Sequence, residues 1–479
     1  MAQGDGDGVG DVGEEGGAVD DGLLRSNAWC GEAASGAWAE GSLQWGARQD
    51  LAKPAQALAA VELDLDDWTN PLVGWGVVLA DRDDVSAVDK ARGLDAPEPI
   101  RKLIVARGNA PVLRWRDDVK DGRLRRYGLD GSAADLSLRG ARGVAANAVP
   151  HYLLIAASPA EVPWRLQYRL QTEAFVGRLD LDAAGLGRYV EALLGNWSGA
   201  KRDVSKPLIW CVDHGHPDIT RLMRKSIAER LRNAFATDTE FAMKGGFRSD
   251  ADATHATLLA ALGERQPAFV TTSSHGATFP LDDAAAMRAQ MGALVDVGHG
   301  VGSASAIATA WNPRGAIWYA HACCSAGADA KSSFDGLVGA DSSLGKTLTA
   351  IAGAGACTAP LPRALLGGAD PLGAFIGHVE PTFDWTLRET ATGQTTSQHV
   401  IDALYGQLHL ARRPPVGRAM SVYFRAVAGL LGDYADALDA VGNLKPGALA
   451  RARASRLVAS DRLAMVVLGD PTVRLPLPA

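Results

Sequence analysis

A continuous apolar run followed by an amphipathic helix constrains this sequence more than any other feature. The run PLIWCV (Pro207 to Val212) has the length of a strand. A short polar loop follows, and then apolar residues recur at the helical period of about 3.6 residues. They are Ile219, Leu222, Met223, Ile227, Leu231 and Phe235. A strand that is apolar on both faces is typical of a parallel sheet covered by helices. The segment therefore predicts a strand–helix unit of an α/β fold.

Further segments repeat this alternation along the chain. Strands are predicted at VGWGVVL (Val73 to Leu79), HYLLIA (His151 to Ala156), FVGRLDL (Phe175 to Leu181), PAFVTTSS (Pro267 to Ser274), GAIWYAHA (Gly315 to Ala322) and RLAMVVLGD (Arg462 to Asp470). Helices are predicted at ATLLAALG (Ala256 to Gly263), near Val400 to Leu410 and from Met420 to Leu438. Strands that alternate with helices form a mainly parallel sheet, and sites in such sheets lie outside the carboxyl ends of the strands.

The length and composition of the chain predict three parts. At 479 residues the chain exceeds one ordinary core. Residues 1–25 are rich in Gly and acidic residues, and we expect a disordered tail there. Residues 26–200 form a first α/β subdomain, and residues 201–479 form a second one. A polar joint, SGAKRDVSK (Ser198 to Lys206), lies between the two.

Charge and cysteine content limit the classes of partner. The formal net charge is −7 and no basic cluster stands out, so we expect no nucleic-acid partner. The start of the sequence lacks the features of a signal peptide, and no apolar run has the length of a membrane helix. The 5 cysteines, two of them adjacent, do not form a disulfide framework. A cytoplasmic protein without a membrane partner is the expectation.

Two of the predicted strands end in reactive residues. PAFVTTSS is followed by His275 and Gly276, and GAIWYAHA is followed by Cys323. If these strands are parallel neighbours, both side chains emerge at one edge of the sheet. A thiolate is then the nucleophile, and the imidazole accepts its proton and later protonates the leaving amine. The N–H groups of Gly276 and Cys323 are candidates for an oxyanion hole.

Other residues of the same types are weaker candidates. His214-Gly215, His299-Gly300 and Ala356-Cys357 repeat the two dipeptides, but they lack the combination of an apolar strand before and a small-residue turn after. A buried cysteine is also more often a small apolar residue than a nucleophile. A metal site at Asp213, His214, His216 and Asp218 has no recognised ligand spacing behind it. His378 and Glu380 are interpreted as strand-end residues near the site. We expect neither a metal nor a cofactor.

The two motifs resemble those of the caspase-like clan of cysteine peptidases. SSHGATFP, HACCSAG, IGHVEPTFDW and VVLGDPTVRL are similar to bacterial gingipain-type and CHAT-type members of that clan. The resemblance implies an α/β/α three-layer sandwich and thiol endopeptidase activity. It makes 26–200 the non-catalytic subdomain and 201–479 the catalytic domain, with the dyad in 267–327 and the C-terminal helices and final strand in 380–475. Cys323 follows His275 by about 50 residues, as the caspase spacing requires.

Cys324, the residue after Cys323, is the alternative candidate for the nucleophile. Many clan members have C-x-x-G after the nucleophile, and here that spacing fits Cys324. The Ala-Cys dipeptide and the register of the strand favour Cys323. Neighbouring strand residues point in opposite directions, so only one of the two thiols can meet His275.

Substrate specificity and biological role are less constrained. His321, Asp213 and His214 are candidates for the substrate pocket, with a hydrogen-bonded strand histidine and loop solvation as the simpler interpretations. The resemblance implies a protein or peptide substrate, self-processing or an activating partner protein, and a bacterial defence role by analogy. The alternative function is an inactive caspase-like scaffold that works through a partner.

Overall fold

The computed structural model describes residues 23–46, 63–119, 122–239, 246–389 and 392–477. Its strands are β1 (Leu23–Trp29), β2 (Ala33–Ala37), β3 (Trp75–Ala80), β4 (Val112–Trp115), β5 (Arg123–Tyr127), β6 (Ala133–Ser137), β7 (Tyr152–Ala156), β8 (Phe175–Leu179), β9 (Leu208–Cys211), β10 (Phe247–Arg248), β11 (Phe269–Ser273), β12 (Gly276–Ala277), β13 (Ile317–His321), β14 (Gly327–Ala328), β15 (Cys357–Thr358), β16 (Ala374–His378) and β17 (Met465–Gly469).

The α-helices alternate with these strands. They are α1 (Ser42–Gly46), α2 (Ala87–Arg92), α3 (Glu98–Ala106), α4 (Trp164–Gln171), α5 (Ala183–Leu194), α6 (Ile219–Met223), α7 (Glu229–Thr237), α8 (His255–Arg265), α9 (Ala284–Gln290), α10 (Ala304–Thr309), α11 (Ser343–Ala354), α12 (Pro360–Leu366), α13 (Gln398–Ile401), α14 (Val416–Gly442) and α15 (Ala448–Leu463). A π-helical turn, Arg224–Ala228, joins α6 to α7, and a second, Asp402–Gln407, follows α13. Short 3₁₀ turns lie at Asp250–Asp252 and Asp384–Thr386.

Twelve strands form one continuous central sheet in the order β10-β9-β11-β13-β16-β17-β8-β7-β3-β4-β5-β6. From β10 to β16 every pairing is parallel, and so are the pairings from β17 through β8, β7 and β3 to β4. β17 runs antiparallel to β16, and the pairings of β5 with β4 and with the edge strand β6 are also antiparallel. The mainly parallel sheet that the alternation predicted is confirmed.

Apolar side chains cover both faces of this sheet. Along β3, Val77 and Val78 point to opposite faces and join separate apolar clusters. Val77 shares its cluster with residues of α3 and α5, whereas Val78 shares its own with Leu166 and Leu170 of α4. Because helices bury their apolar sides against each face, the sheet is the middle layer of an α/β/α sandwich. The predicted fold class is correct.

The strands predicted from apolar runs all exist, although most are shorter by one or two residues at their ends. The predicted helix after β9 is interrupted by the π-helical turn. The features that were not predicted include the β1–β2 hairpin, the antiparallel β4–β6 edge, the central strand β16 and helix α15. Most of the expected disordered tail, residues 1–22, lies outside the described residues, and Leu23–Arg25, at its end, belong to β1. In the part of the chain that the structure describes, the helices are too short or too polar to cross a membrane.

Candidate active site

His275 lies just beyond the carboxyl end of β11, at the edge where the neighbouring strands also end. The register pairs Ser273 of β11 with Cys211 of β9 on one side and with His321 of β13 on the other. The chain segments after all three strands therefore meet at this edge. His275 is fully buried, and its backbone carbonyl accepts a hydrogen bond from the Val295 N–H.

A carboxylate holds the His275 ring. Its Nε2 atom lies 2.9 Å from Oδ2 of Asp218, which caps the N-terminus of α6 through the Thr220 N–H. Burial alone would raise the pKa of Asp218, but the hydrogen bonds and charges of His275 and the contacts with Thr220 outweigh it and lower the pKa to about 2. Asp218 is therefore ionised at neutral pH, and the proton of the ring is held on Nε2. Nδ1 of His275 has no hydrogen-bond partner among the described residues, so this nitrogen is the one left for chemistry.

Cys323 lies two residues beyond β13 and is fully buried. Its thiol is surrounded by hydrogen-bonding groups: Ser26 Oγ lies 3.2 Å from Sγ, the Thr382 N–H donates to Sγ over 3.3 Å, and Asn27 Oδ1 is in direct contact with it. Burial raises the pKa of the Cys323 thiol, although the contacts with Ser26 and Thr382 act in the opposite direction. In this closed state the group is a thiol and not a thiolate.

Cys324 points away from this environment. Its backbone adopts a left-handed conformation with φ 54°, and its N–H donates to the Glu380 carbonyl over 3.0 Å. Its side chain joins the apolar cluster of Met287 and Met291, whereas the side chain of Cys323 joins a different cluster. The two thiols therefore diverge because the chain turns between them, beyond the end of the strand. The choice of Cys323 as nucleophile stays a prediction, and its surroundings favour it.

Gly276 brings the two motifs together. A Cβ atom at this position would lie 2.0 Å from the Cys323 carbonyl oxygen and 3.0 Å from the Cys323 nitrogen. Only a residue without a side chain allows this approach of the His275-Gly276 backbone to the Cys323 backbone. The close approach explains the glycine after the histidine in structural terms.

The three predicted pocket residues have other partners in the structure. Nδ1 of His321 lies 2.9 Å from the Tyr319 hydroxyl and 3.2 Å from Nε2 of His378. Burial lowers the pKa of His321 to about 3, with Arg462 acting in the same direction, so its ring is neutral. Asp213 accepts from the Gly215 N–H and lies 3.4 Å from Arg224. Their role in a substrate pocket stays a prediction.

His214 belongs to a stack of rings beside His275. Its ring centroid lies 4.4 Å from that of His299 and 5.6 Å from that of His275. Burial and the neighbouring His275 lower the pKa of His214. Across the described ranges, no three His, Cys, Asp or Glu side chains are grouped so that they could hold a metal ion. Asp218, weighed in the sequence as a metal ligand, is instead the partner of His275.

Reasoning from the sequence missed both the role of Asp218 and the cover over the thiol. Asp218 had a signal, because it lies in the loop after β9, and loops after parallel strands meet at one edge. Ser26 and Asn27 had none, since LLRSNAW shows neither an alternating pattern nor a continuous apolar run that would assign it to a sheet.

The fold and the site together define an α/β protein with an imidazole–carboxylate pair and a thiol at the carboxyl ends of parallel strands. Comparison with solved structures finds the Arg-specific cysteine proteinase gingipain R, at 13% identity and a TM-score of 0.40, covering 85% of this chain and 80% of that one. The complex of the pro- and mature domains of RgpB from Porphyromonas gingivalis matches at 12% identity and a TM-score of 0.37, with the same coverage. Comparisons with known protein families and with curated proteins gave no match.

Proposed function

We propose that this protein is a cysteine-type endopeptidase in which Cys323 is the nucleophile, His275 the general acid and base, and Asp218 the group that orients the histidine. One observation carries the proposal: the Asp218–His275 pair lies at the sheet edge where the Gly276 backbone contacts the Cys323 backbone. A carboxylate, an imidazole and a nucleophile placed in succession are the arrangement on which acyl transfer depends.

The reaction follows from these positions. His275 takes the proton from the Cys323 thiol, and the thiolate adds to the carbonyl carbon of the scissile bond. The Gly276 N–H donates to the oxyanion that forms. The imidazolium, stabilised by Asp218, then gives its proton to the leaving amine, and a thioester to Cys323 remains. Water, deprotonated by His275, hydrolyses the thioester and restores the thiol.

Alkylation of the thiol tests this proposal. Carbamidomethylation of the native protein with iodoacetamide, followed by peptide mapping, is expected to modify Cys323 and to abolish hydrolysis of a casein substrate in parallel. His275→Ala is expected to slow both reactions. Modification of Cys324 with loss of activity, while Cys323 stays unmodified, would move the nucleophile by one residue. Retained hydrolysis after complete modification of both cysteines would exclude a thiol peptidase.

A scaffold without activity is the second candidate function. The observation that favours it is the complete burial of Cys323 and His275, because a nucleophile without access to substrate does no chemistry. A scaffold predicts that Cys323→Ala keeps every cellular function of the protein. A peptidase predicts that Cys323→Ala and a deletion of the gene have the same effect. The bacterial defence role and an activating partner belong to the peptidase proposal and would be tested by the same complementation experiment.

A further inference from the structure

The strand β1 lies in a groove directly over the candidate active site. Along one edge it pairs in parallel with β12, matching Ala28 with Gly276, and it meets Phe383 through an antiparallel bridge of Ser26. Its other edge pairs antiparallel with β2. Main-chain hydrogen bonds hold both contacts along this edge: the Asn27 N–H donates to the Thr382 carbonyl over 3.3 Å, and the Thr278 N–H donates to the Trp29 carbonyl over 2.8 Å. An extended peptide added to exposed strand edges is held by bonds of this kind, whatever its side chains are.

The pairing also sets one carbonyl of β1 at the proposed oxyanion donor. Hydrogen bonds in a parallel ladder repeat every second residue along each strand. Because the Thr278 N–H meets the Trp29 carbonyl, the same ladder aims the Gly276 N–H at the carbonyl of Asn27. The N–H of Ala277, between them, points the other way and donates to the Ala293 carbonyl. The backbone of Asn27 thus lies where the backbone of a substrate would have to lie.

The side chains of β1 close the thiol off. Ser26 and Asn27 both contact Sγ of Cys323, and all three residues are buried almost completely. The atom of Asn27 that touches Sγ is the side-chain oxygen Oδ1, which also accepts a hydrogen bond from the Thr382 N–H over 3.4 Å. This contact puts an amide oxygen, and not a scissile carbonyl carbon, in front of the nucleophile.

Both ends of β1 are anchored by side chains. Leu24 is fully buried in a cluster with Trp45 and Phe383. At the other end the Trp29 ring stacks on His299 at 4.5 Å and lies 5.4 Å from the His275 ring. Between them Arg25 lies 4.0 Å from Asp384. The fit is not perfect, because Nδ2 of Asn27 has no partner in the described part of the chain although it is buried. A buried donor without a hydrogen-bond partner costs free energy, so it weakens the binding of β1 at this position and favours its release.

We propose that β1 is an internal competitor for the peptide groove of this protein, which keeps the active site closed until residues 23–29 withdraw. The inference rests on the proposed peptidase function and adds its regulation. Residues 276–278 and 382–384 together form an edge that accepts an extended chain, so a substrate that pairs with this edge occupies the place of β1 and cannot bind together with it. Withdrawal of β1 also removes the cover from Cys323, so access for substrate and reactivity of the thiol arise in one step.

Variants that loosen β1 and leave Asp218, His275 and Cys323 unsubstituted test the proposal. Leu24→Asp removes the anchor at one end, and Trp29→Ala removes it at the other. Their matched controls are Leu72→Asp, at an exposed leucine, and Trp115→Ala, on the distant strand β4. We expect at least 10-fold faster carbamidomethylation of Cys323 in Leu24→Asp and Trp29→Ala, and the rate of the unaltered protein in both controls. Equal rates in all five folded proteins would overturn the inference.

A further variant and a synthetic peptide test whether faster labelling results from release of β1 or merely from partial unfolding of the protein. Asn27→Gly removes the side chain on the thiol while the anchors stay, and it should also accelerate labelling with an unchanged melting temperature. A synthetic peptide LLRSNAW, added at millimolar concentration to Leu24→Asp, should slow the labelling of Cys323, whereas a scrambled peptide should not. Absence of protection by LLRSNAW would contradict competition for the groove.

The same experiments separate the two proposals. If Cys323 is labelled quickly in the loosened variants but no protein substrate is hydrolysed, the proposal that β1 covers the site is supported and the proposed peptidase function is refuted. If the unaltered protein hydrolyses substrate as fast as the loosened variants do, the proposed peptidase function is supported and the proposal that β1 is an internal competitor is refuted.

Discussion

Nε2 of His275 lies 2.9 Å from Oδ2 of Asp218, although 57 residues separate them along the chain. The contact joins the loop after β9 to the loop after β11, and it orients the imidazole so that Nδ1 is the nitrogen free to exchange a proton. In the proposed mechanism, this contact makes His275 a directed acid and base.

Replacing Asp218 by asparagine should remove most of the activity while the fold remains. An amide can still contact the ring, but it does not stabilise the imidazolium, so we expect kcat/KM to fall by about 10²- to 10⁴-fold. The assay is best made in the Leu24→Asp background, where β1 is loosened. Glu229→Gln, at the start of α7 and paired with Arg224, is the matched control and should change activity less than about threefold. Equal losses in the two variants would contradict the assigned role.

The two adjacent cysteines should respond oppositely to substitution by alanine. Cys323→Ala should abolish hydrolysis of the protein substrate and carbamidomethylation at position 323. Its melting temperature should change little. Cys324→Ala should keep both reactions and lose about 1 kcal/mol of stability, because its side chain packs against Met287 and Met291. Peptidase assays and thermal melts of both variants decide the matter. A dead Cys324→Ala protein with an unchanged melting temperature would reverse the assignment.

A side chain at position 276 should damage both the fold and the site. The added Cβ of Gly276→Ala would lie 2.0 Å from the Cys323 carbonyl oxygen, so the two backbones must separate. We expect a loss of about 1–3 kcal/mol in unfolding free energy and no measurable activity. Gly187→Ala is the control, since no described heavy atom lies within 4 Å of its added Cβ. It should stabilise helix α5 by about 0.5–1 kcal/mol. A Gly276→Ala protein with full stability would refute the close approach.

Asp461 on α15 should make the protein less stable as pH rises. Burial raises its pKa to about 7, even though the hydrogen bond from Thr386 and the charge of Arg462 lower it. In the unfolded chain an aspartate titrates near pH 3.9, so the folded state binds more protons between pH 4 and pH 7. The free energy of unfolding therefore falls across that window.

Substitution of Asp461 by asparagine isolates this effect. The stability of Asp461→Asn relative to the unaltered protein should increase by about 1 kcal/mol or more from pH 4 to pH 7, measured by urea denaturation at each pH. Asp433→Asn, at an exposed position of α14, should show no such trend. A constant difference between Asp461→Asn and the unaltered protein over this range would show that Asp461 is ionised in the folded state.

The fold could be predicted from the sequence wherever burial leaves a mark on composition. β9, β11, β13 and β17 are buried on both faces, and their continuous apolar runs predicted each of them. Strands near the end of the sheet are less buried: β5, next to the edge strand β6, has the sequence RLRRY, and its pattern gives no strand signal. The order of strands depends on crossovers between distant segments, which composition does not encode.

The site could be predicted in part for the same reason. His275 and Cys323 each follow a buried strand, so their positions were visible. The partner Asp218 depends on which loop lies beside which, and this requires knowing that β9 adjoins β11. The cover by Ser26 and Asn27 depends on a contact across almost 300 residues, where nothing in the local sequence indicates a partner.

The position of β17 in the sheet has a consequence for how the chain matures. This strand is the last along the sequence, yet it lies between β16 and β8, and the Gly177 backbone approaches Gly469 too closely for any side chain there. The sheet therefore remains in two pieces on the ribosome until Met465–Gly469 has been synthesised and has left the exit tunnel. A nascent chain interrupted before that point exposes two unpaired strand edges, which are templates for aggregation.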